Sequence, residues 1–226
     1  MLASCVVNAA AKGVIPEPSK TLQQLIAEVQ NDSSLSEEMK EIMIAKLTAT
    51  APEIETFTLI EGETENVLSS FPMYKQEGKY WCMPACAQMM IKYLTGTKVP
   101  QSTLANQLDI DDSSGGFFGN MKGVLNSYQS QNPYVLLYKE NVTVETMSYQ
   151  FSTALHWHDA PAAVTTKPFM DDGFPYDMNY YHALAITGEY YDRSGFRIHD
   201  PSTNASYVPY WVSDDGIFEE LNSYIY

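Results

Sequence analysis

Gln76, Cys82, His182 and Asp200 have the side-chain types that nucleophilic attack on a carbonyl requires. A cysteine attacks as its thiolate, and a helix N-terminus favours that anion through unpaired backbone N–H groups and the aligned peptide dipoles. Pro84 fixes such a terminus here. Proline is tolerated in the first helical turn and clashes further in, so a helix must begin at about Cys82 or Met83. Ala85, Met89 and Tyr93, with Cys86, Met90 and Leu94, then make an apolar face at helical spacing, and Gly96 stands where a C-terminal cap is expected. Cys86 lies one turn deeper on that face, where a cysteine behaves as a small inert hydrophobe. Gln76, six residues before Cys82, can reach back with its amide N–H toward an oxyanion beside the thiol.

The base and the acid come from a later change of period. His182, Leu184 and Ile186 alternate with small residues before Gly188, as in a half-buried strand, and Phe196, Ile198 and Asp200 alternate likewise before Pro201. If His182 faces Asp200 across an antiparallel pair, Leu184 faces Ile198 and Ile186 faces Phe196, so both apolar sets share one face. The turn signal at Asp192 to Gly195 lies later than the centre of that register, and a bulge must absorb the difference. In this arrangement His182 takes the Cys82 proton to form a thiolate–imidazolium pair, and Asp200 holds the imidazole tautomer. His199, next to the acid, points to the other face of its strand.

A glutamine, five residues and a cysteine at a helix start resemble the papain-like cysteine peptidases. The string Trp81-Cys82-Met83-Pro84-Ala85 looks most like their bacterial relatives of the double-glycine-leader type, which usually carry glycine where Met83 stands. The order cysteine, histidine, aspartate also matches that family. The resemblance covers roughly residues 71–226. It implies an α+β, papain-like fold in which a helical half carries the cysteine and an antiparallel sheet carries the histidine and acid. It also implies peptide-bond hydrolysis through a thioester acyl-enzyme, on a peptide or protein substrate, without metal or organic cofactor. A transglutaminase-like acyl transferase uses the same residue order, and a catalytically inactive peptide-binding module is the rival from another class.

Composition sets the outer bounds. The 226 residues suffice for one ordinary domain with an appendage. The 28 acidic residues against 13 basic ones argue against nucleic acid and anionic membrane surfaces as partners. No apolar stretch approaches the roughly 20 residues of a membrane-spanning helix, and three cysteines make no disulfide framework. Leu2-Ala3-Ser4-Cys5 spells a lipoprotein cleavage box with Cys5 as the lipidated residue, but no charged region or apolar core precedes it. A chance match and a truncated export signal both fit. The second would make the protein secreted or tethered at the cell surface.

Residues 1–70 read as a separate helical appendage, either a pro-segment or tether or a hairpin packed on the main domain. After a linker over residues 6–18, Leu22, Leu25, Ile26 and Val29 repeat at helical spacing. Ser34 with Glu37 suggests a capping box opening a second helix with Met39, Ile42, Met43 and Leu47 on its apolar stripe. Ala51-Pro52 should end it, with a weak strand over residues 53–60 and a polar linker over residues 61–70. Within residues 71–226 the pattern predicts a short helix capped by Ser102, another over residues 120–130, and one through Val144, Met147, Phe151 and Leu155. A strand is expected over residues 162–166. Asp109, Asp111 and Asp112 lack the spacing of a calcium loop. His156 and His158, two apart on a helix, do not share a face that could bind metal.

Overall fold

The computed structural model describes residues 14–50, 64–110 and 115–226. Its centre is helix α3 (Cys82–Thr95), in which every residue from Cys82 to Ile91 is buried. An apolar run of this kind has no solvent face to keep, so the helix is enclosed by other elements rather than lying on them. Full burial of Met89, Met90 and Ile91 contributes about 1.5–3 kcal/mol each. Gly96 closes the helix in the left-handed conformation at φ 74°, its N–H returning to the Lys92 carbonyl. Two shorter helices, α4 (Gln101–Gln107) and α5 (Gly119–Tyr128), pack against α3. The N-cap of α4 is Pro100, two residues before the expected Ser102, and no side chain caps the helix.

The other half is an antiparallel sheet. Its order is β4 (Leu136–Tyr138), β9 (Leu221–Ile225), β5 (Ala162–Thr166), β6 (His182–Tyr190), β7 (Gly195–His199) and β8 (Tyr210–Ser213). β6 was expected to be half-buried, but its residues His182 to Glu189 are all buried, with α3 against it. The β6–β7 register also differs from expectation. Ala185 faces His199 and Ile186 faces Ile198, and beyond a bulge Gly188 faces Arg197 and Glu189 faces Phe196. Up to the bulge the shift is two residues, which preserves the faces because side chains alternate with period two, and the bulge then adds one residue more. The turn decides it: Asp192 accepts from the Ser194 N–H and hydroxyl, and Arg193 takes φ 60°, which seats the hairpin at residues 191–194. α6 (Val144–Ser152) continues as a π-helix over Thr153–Trp157, and α7 (Asp214–Glu219) precedes β9.

Upstream of the cysteine helix, α1 (Leu22–Asn31) and α2 (Glu37–Thr48) form a hairpin. Thr21 and Gln24 make the capping box of α1. Ser36, not Ser34, caps α2 through the Met39 N–H; the carboxylate of Asp32 instead holds the Ser34 N–H and hydroxyl. The hairpin buries Leu25, Val29, Met43 and Leu47 beside Val135 and Leu136. Lys46 is buried with them. Its ammonium donates to Asn132 Oδ1 (2.9 Å) and to the carbonyls of Pro133 (3.0 Å) and Tyr226 (2.7 Å), and it lies over the Tyr226 ring. Part of the expected polar linker is a strand: β2 (Glu65–Val67) pairs with the far end of β6. Part of the expected N-terminal linker is also extended. β1 (Val14–Ile15) pairs in parallel with β3 (Gly116–Phe117), and the Val14 N–H donates to the Tyr181 carbonyl at 3.0 Å. Cys5, the strand expected over residues 53–60, and Asp111 and Asp112 lie outside the described residues.

Candidate active site

Cys82 is the first residue of α3 and is 3 % exposed. The Ala85 N–H already bonds to Trp81 O, and Pro84 has no N–H. Cys82 and Met83 therefore carry the donors of the first turn that have no intrahelical acceptor. Cys86 sits differently. Its thiol donates to Ala183 O at 3.2 Å, and burial, with the Cys82 and Asp200 charges adding, pushes its pKa well up. A thiol in that setting stays protonated and inert.

His182 opens β6, where its ring is buried between the two halves of the molecule. Nε2 lies 2.8 Å from Asp200 Oδ1, and the Cys82 thiol lies against the same ring. Burial opposes a charged imidazole. The Asp200 carboxylate and its hydrogen bond, together with the Cys82 side chain, outweigh it and raise the pKa to about 10. Asp200, just beyond β7 and fully buried, is saturated with donors. Oδ1 also accepts the Ser202 N–H (2.7 Å), while Oδ2 accepts the hydroxyls of Tyr176 (2.6 Å) and Tyr210 (2.7 Å). Burial would raise its pKa, but His182 and these hydrogen bonds hold it low. His199 faces the other way: Nδ1 meets the Thr187 hydroxyl, Phe71 packs edge-on, and burial beside Arg197 lowers its pKa to about 4. It is a neutral packing residue.

Gln76 lines the same cavity as Cys82 and His182, a recess of about 200 Å³ that Lys79, Tyr80, Met178, Tyr180 and residues 202–204 complete. Hollows of about 560 and 510 Å³ lie along α1 and between the hairpin and α5, but no cysteine or histidine lines them. Gln76 was expected to offer a free amide. Both of its amide hydrogens are instead turned to the carbonyls of Gly78 (3.0 Å) and Lys79 (2.9 Å). The segment carrying it is held from both halves. Its backbone N–H donates to Pro201 O, and Lys75 reaches the carbonyls of Asp200 and Ser202. From the helical half, Gln101 bonds to Lys75 O and Glu77 N and also to Gln88. Thus all four expected site residues come to one junction, joined by tyrosines and glutamines that spacing alone did not single out.

A model of the Peptidase_C39 like family matches residues 68–226. The chain belongs to that family. It is a cysteine-type peptidase, and its sheet and cysteine helix form a papain-like α+β fold. Among solved structures it resembles xylellain, a cysteine protease from Xylella fastidiosa, with a TM-score of 0.52 at 11 % identity over 96 % of this chain and 95 % of that one. It also matches the peptidase domain of Streptococcus ComA, a bifunctional ABC transporter involved in quorum sensing, with a TM-score of 0.46 and 12 % identity over 69 % of this chain and 96 % of that one. No curated protein matches it. Among the described residues of the peptidase, no helix is long and apolar enough to cross a membrane.

Proposed function

We propose that Cys82 is the nucleophile of a thioester-forming peptidase, with His182 as its base and acid and Asp200 as the group that orients His182. The observation carrying this reading is that Asp200 takes Nε2 of His182, leaving Nδ1 for the thiol at the start of α3. The thiolate attacks the scissile carbonyl, and the imidazolium then gives its proton to the departing amine, leaving a thioester. Water enters, gives a proton to His182 and attacks the thioester; the carboxylic acid leaves and the thiolate–imidazolium pair returns. The Cys82 N–H and the Gln76 amide would stabilise each tetrahedral oxyanion, Gln76 by releasing one of its two carbonyl partners. The test is limited alkylation of the intact protein with iodoacetamide at neutral pH, followed by adduct mapping. Labelling of Cys82 over Cys86, and loss of peptide hydrolysis in Cys82→Ala, are expected. Preferential labelling of Cys86 would overturn the assignment.

The reading extends to residues 1–70, which we place as a restraining segment on the 71–226 domain. Its strand β1, not its helices, supports that role. Val14 bonds to the carbonyl next to His182, and its partner Gly116 has no room for a Cβ against Ile110 and the side chain of Met83, the neighbour of Cys82. The hairpin instead buries its apolar face beside Val135 and Leu136.

A further inference from the structure

An acid whose task is to orient one imidazole needs one oxygen. Asp200 uses Oδ1 for that and gives Oδ2 wholly to two phenols from unrelated parts of the chain. Tyr176 lies in the segment between β5 and β6 that also supplies Met178 and Tyr180 to the cavity. Tyr210 is the first residue of β8, where Phe174 meets its ring edge-on with centroids 6.4 Å apart. With the Ser202 N–H and the His182 ring, the phenols bring the carboxylate to four donors, about its full capacity. Two physical effects follow. Donors from several directions fix the carboxylate plane, so Oδ1 cannot turn away from His182. Each donor also draws negative charge toward Oδ2 and weakens the hold of Asp200 on the imidazolium proton.

We infer that Tyr176 and Tyr210 are positioning residues that set the upper pH limit of the thiolate–imidazolium pair by sharing the charge of Asp200. This rests on the reading of Cys82, His182 and Asp200 as the reacting triad. Both phenols stay protonated where they are needed: burial first, then the Asp200 charge, holds their pKa values far above the usual tyrosine range. The titratable groups facing the pair, besides Asp200, are Cys86 from α3, Lys75, Lys79 and Tyr80 from the preceding loop, Tyr176 and Tyr180 from the β5–β6 segment, and Tyr210 from β8. Of these, only Tyr176 and Tyr210 donate to Oδ2.

The experiment follows the rate of Cys82 alkylation by iodoacetate between about pH 5 and 11, with melting temperatures alongside. The anionic reagent senses the imidazolium, so the rate falls on the basic side where His182 loses its proton. Tyr176→Phe and Tyr210→Phe should each move that basic limb upward by roughly half a unit to one unit. Tyr207→Phe, at an exposed tyrosine whose ring meets that of Tyr210 edge-on, should leave it in place. A residue that merely packs would lower the melting temperature and leave the limb where it was, so an unmoved or lowered limb in folded Phe variants overturns the inference. Tyr176, whose ring is only partly buried, decides the matter if Tyr210→Phe does not fold. Failure of the underlying reading looks different: the wild-type protein would then show no basic limb, or no preferential reaction at Cys82.

Discussion

Asp200→Ala would remove the acceptor of four donors at once, leaving His182, Ser202 and two phenols without it. Each such group costs about 1–3 kcal/mol, so alanine tests folding as much as catalysis. Asp200→Asn keeps the shape and removes the charge. It should lower kcat/KM, but by less than Cys82→Ala or His182→Ala, because an orienting acid contributes less than the reacting groups. The sign of the pH effect follows from His182, whose pKa is raised from 6.5 to about 10. The imidazolium that protonates the leaving amine persists through neutral pH and disappears as pH rises through that value. Without the Asp200 charge the pKa drops, so the basic limb of kcat/KM should move down in Asp200→Asn; an unmoved limb would mean that another group holds the proton. At this scale the sequence was informative wherever a backbone rule applied. Pro84 located Cys82 at a helix start, and alternation located His182 and Asp200. Tyr176 and Tyr210 obey no such rule, since one lies in an aperiodic aromatic loop and the other opens a four-residue strand.

The longer elements declared themselves by period, and the short ones could not. α1, α3, α5 and α6 lie within a few residues of the positions their apolar spacing indicates, and β5 occupies the predicted residues 162–166. β1, β2 and β3 have two or three residues each, too few to show alternation, and they form because neighbouring edges accept them. The docking of the α1–α2 hairpin was equally hidden, because its key residue is a lysine on a nominally solvated helix. Lys46 lies 9 % exposed among three oxygen acceptors, and burial pulls its pKa down to about 7. Lys46→Met fills the volume but strands those acceptors. A loss of about 2–4 kcal/mol is expected, or roughly 5–15 °C in melting temperature, with peptidase rate per folded molecule unchanged. A melting temperature equal to wild type would show that apolar contacts alone hold the hairpin.

At the scale of the molecule, two halves meet at Cys82 and His182, and β1 spans the same junction from the other end of the chain. An extended peptide bound across the junction needs backbone partners, and the Tyr181 carbonyl is already taken by Val14. Val14→Pro removes that N–H without shortening the chain. If the strand blocks substrate, KM for a peptide should fall while kcat stays the same; an open state populated at about 1–10 % gives a change of about 10- to 100-fold. A KM unchanged in the folded variant would reject the blocking role and leave β1 a structural strap. The covalent link has a quantitative consequence. A strand joined to its own site acts as a competitor at a fixed local concentration, of millimolar order for a short flexible connection. Dilution cannot remove it. Restraint by β1 would therefore be the same in a dilute assay as in a concentrated stock, unlike inhibition by a separate molecule or a second copy, and would yield only to abundant substrate or to a cut in the chain.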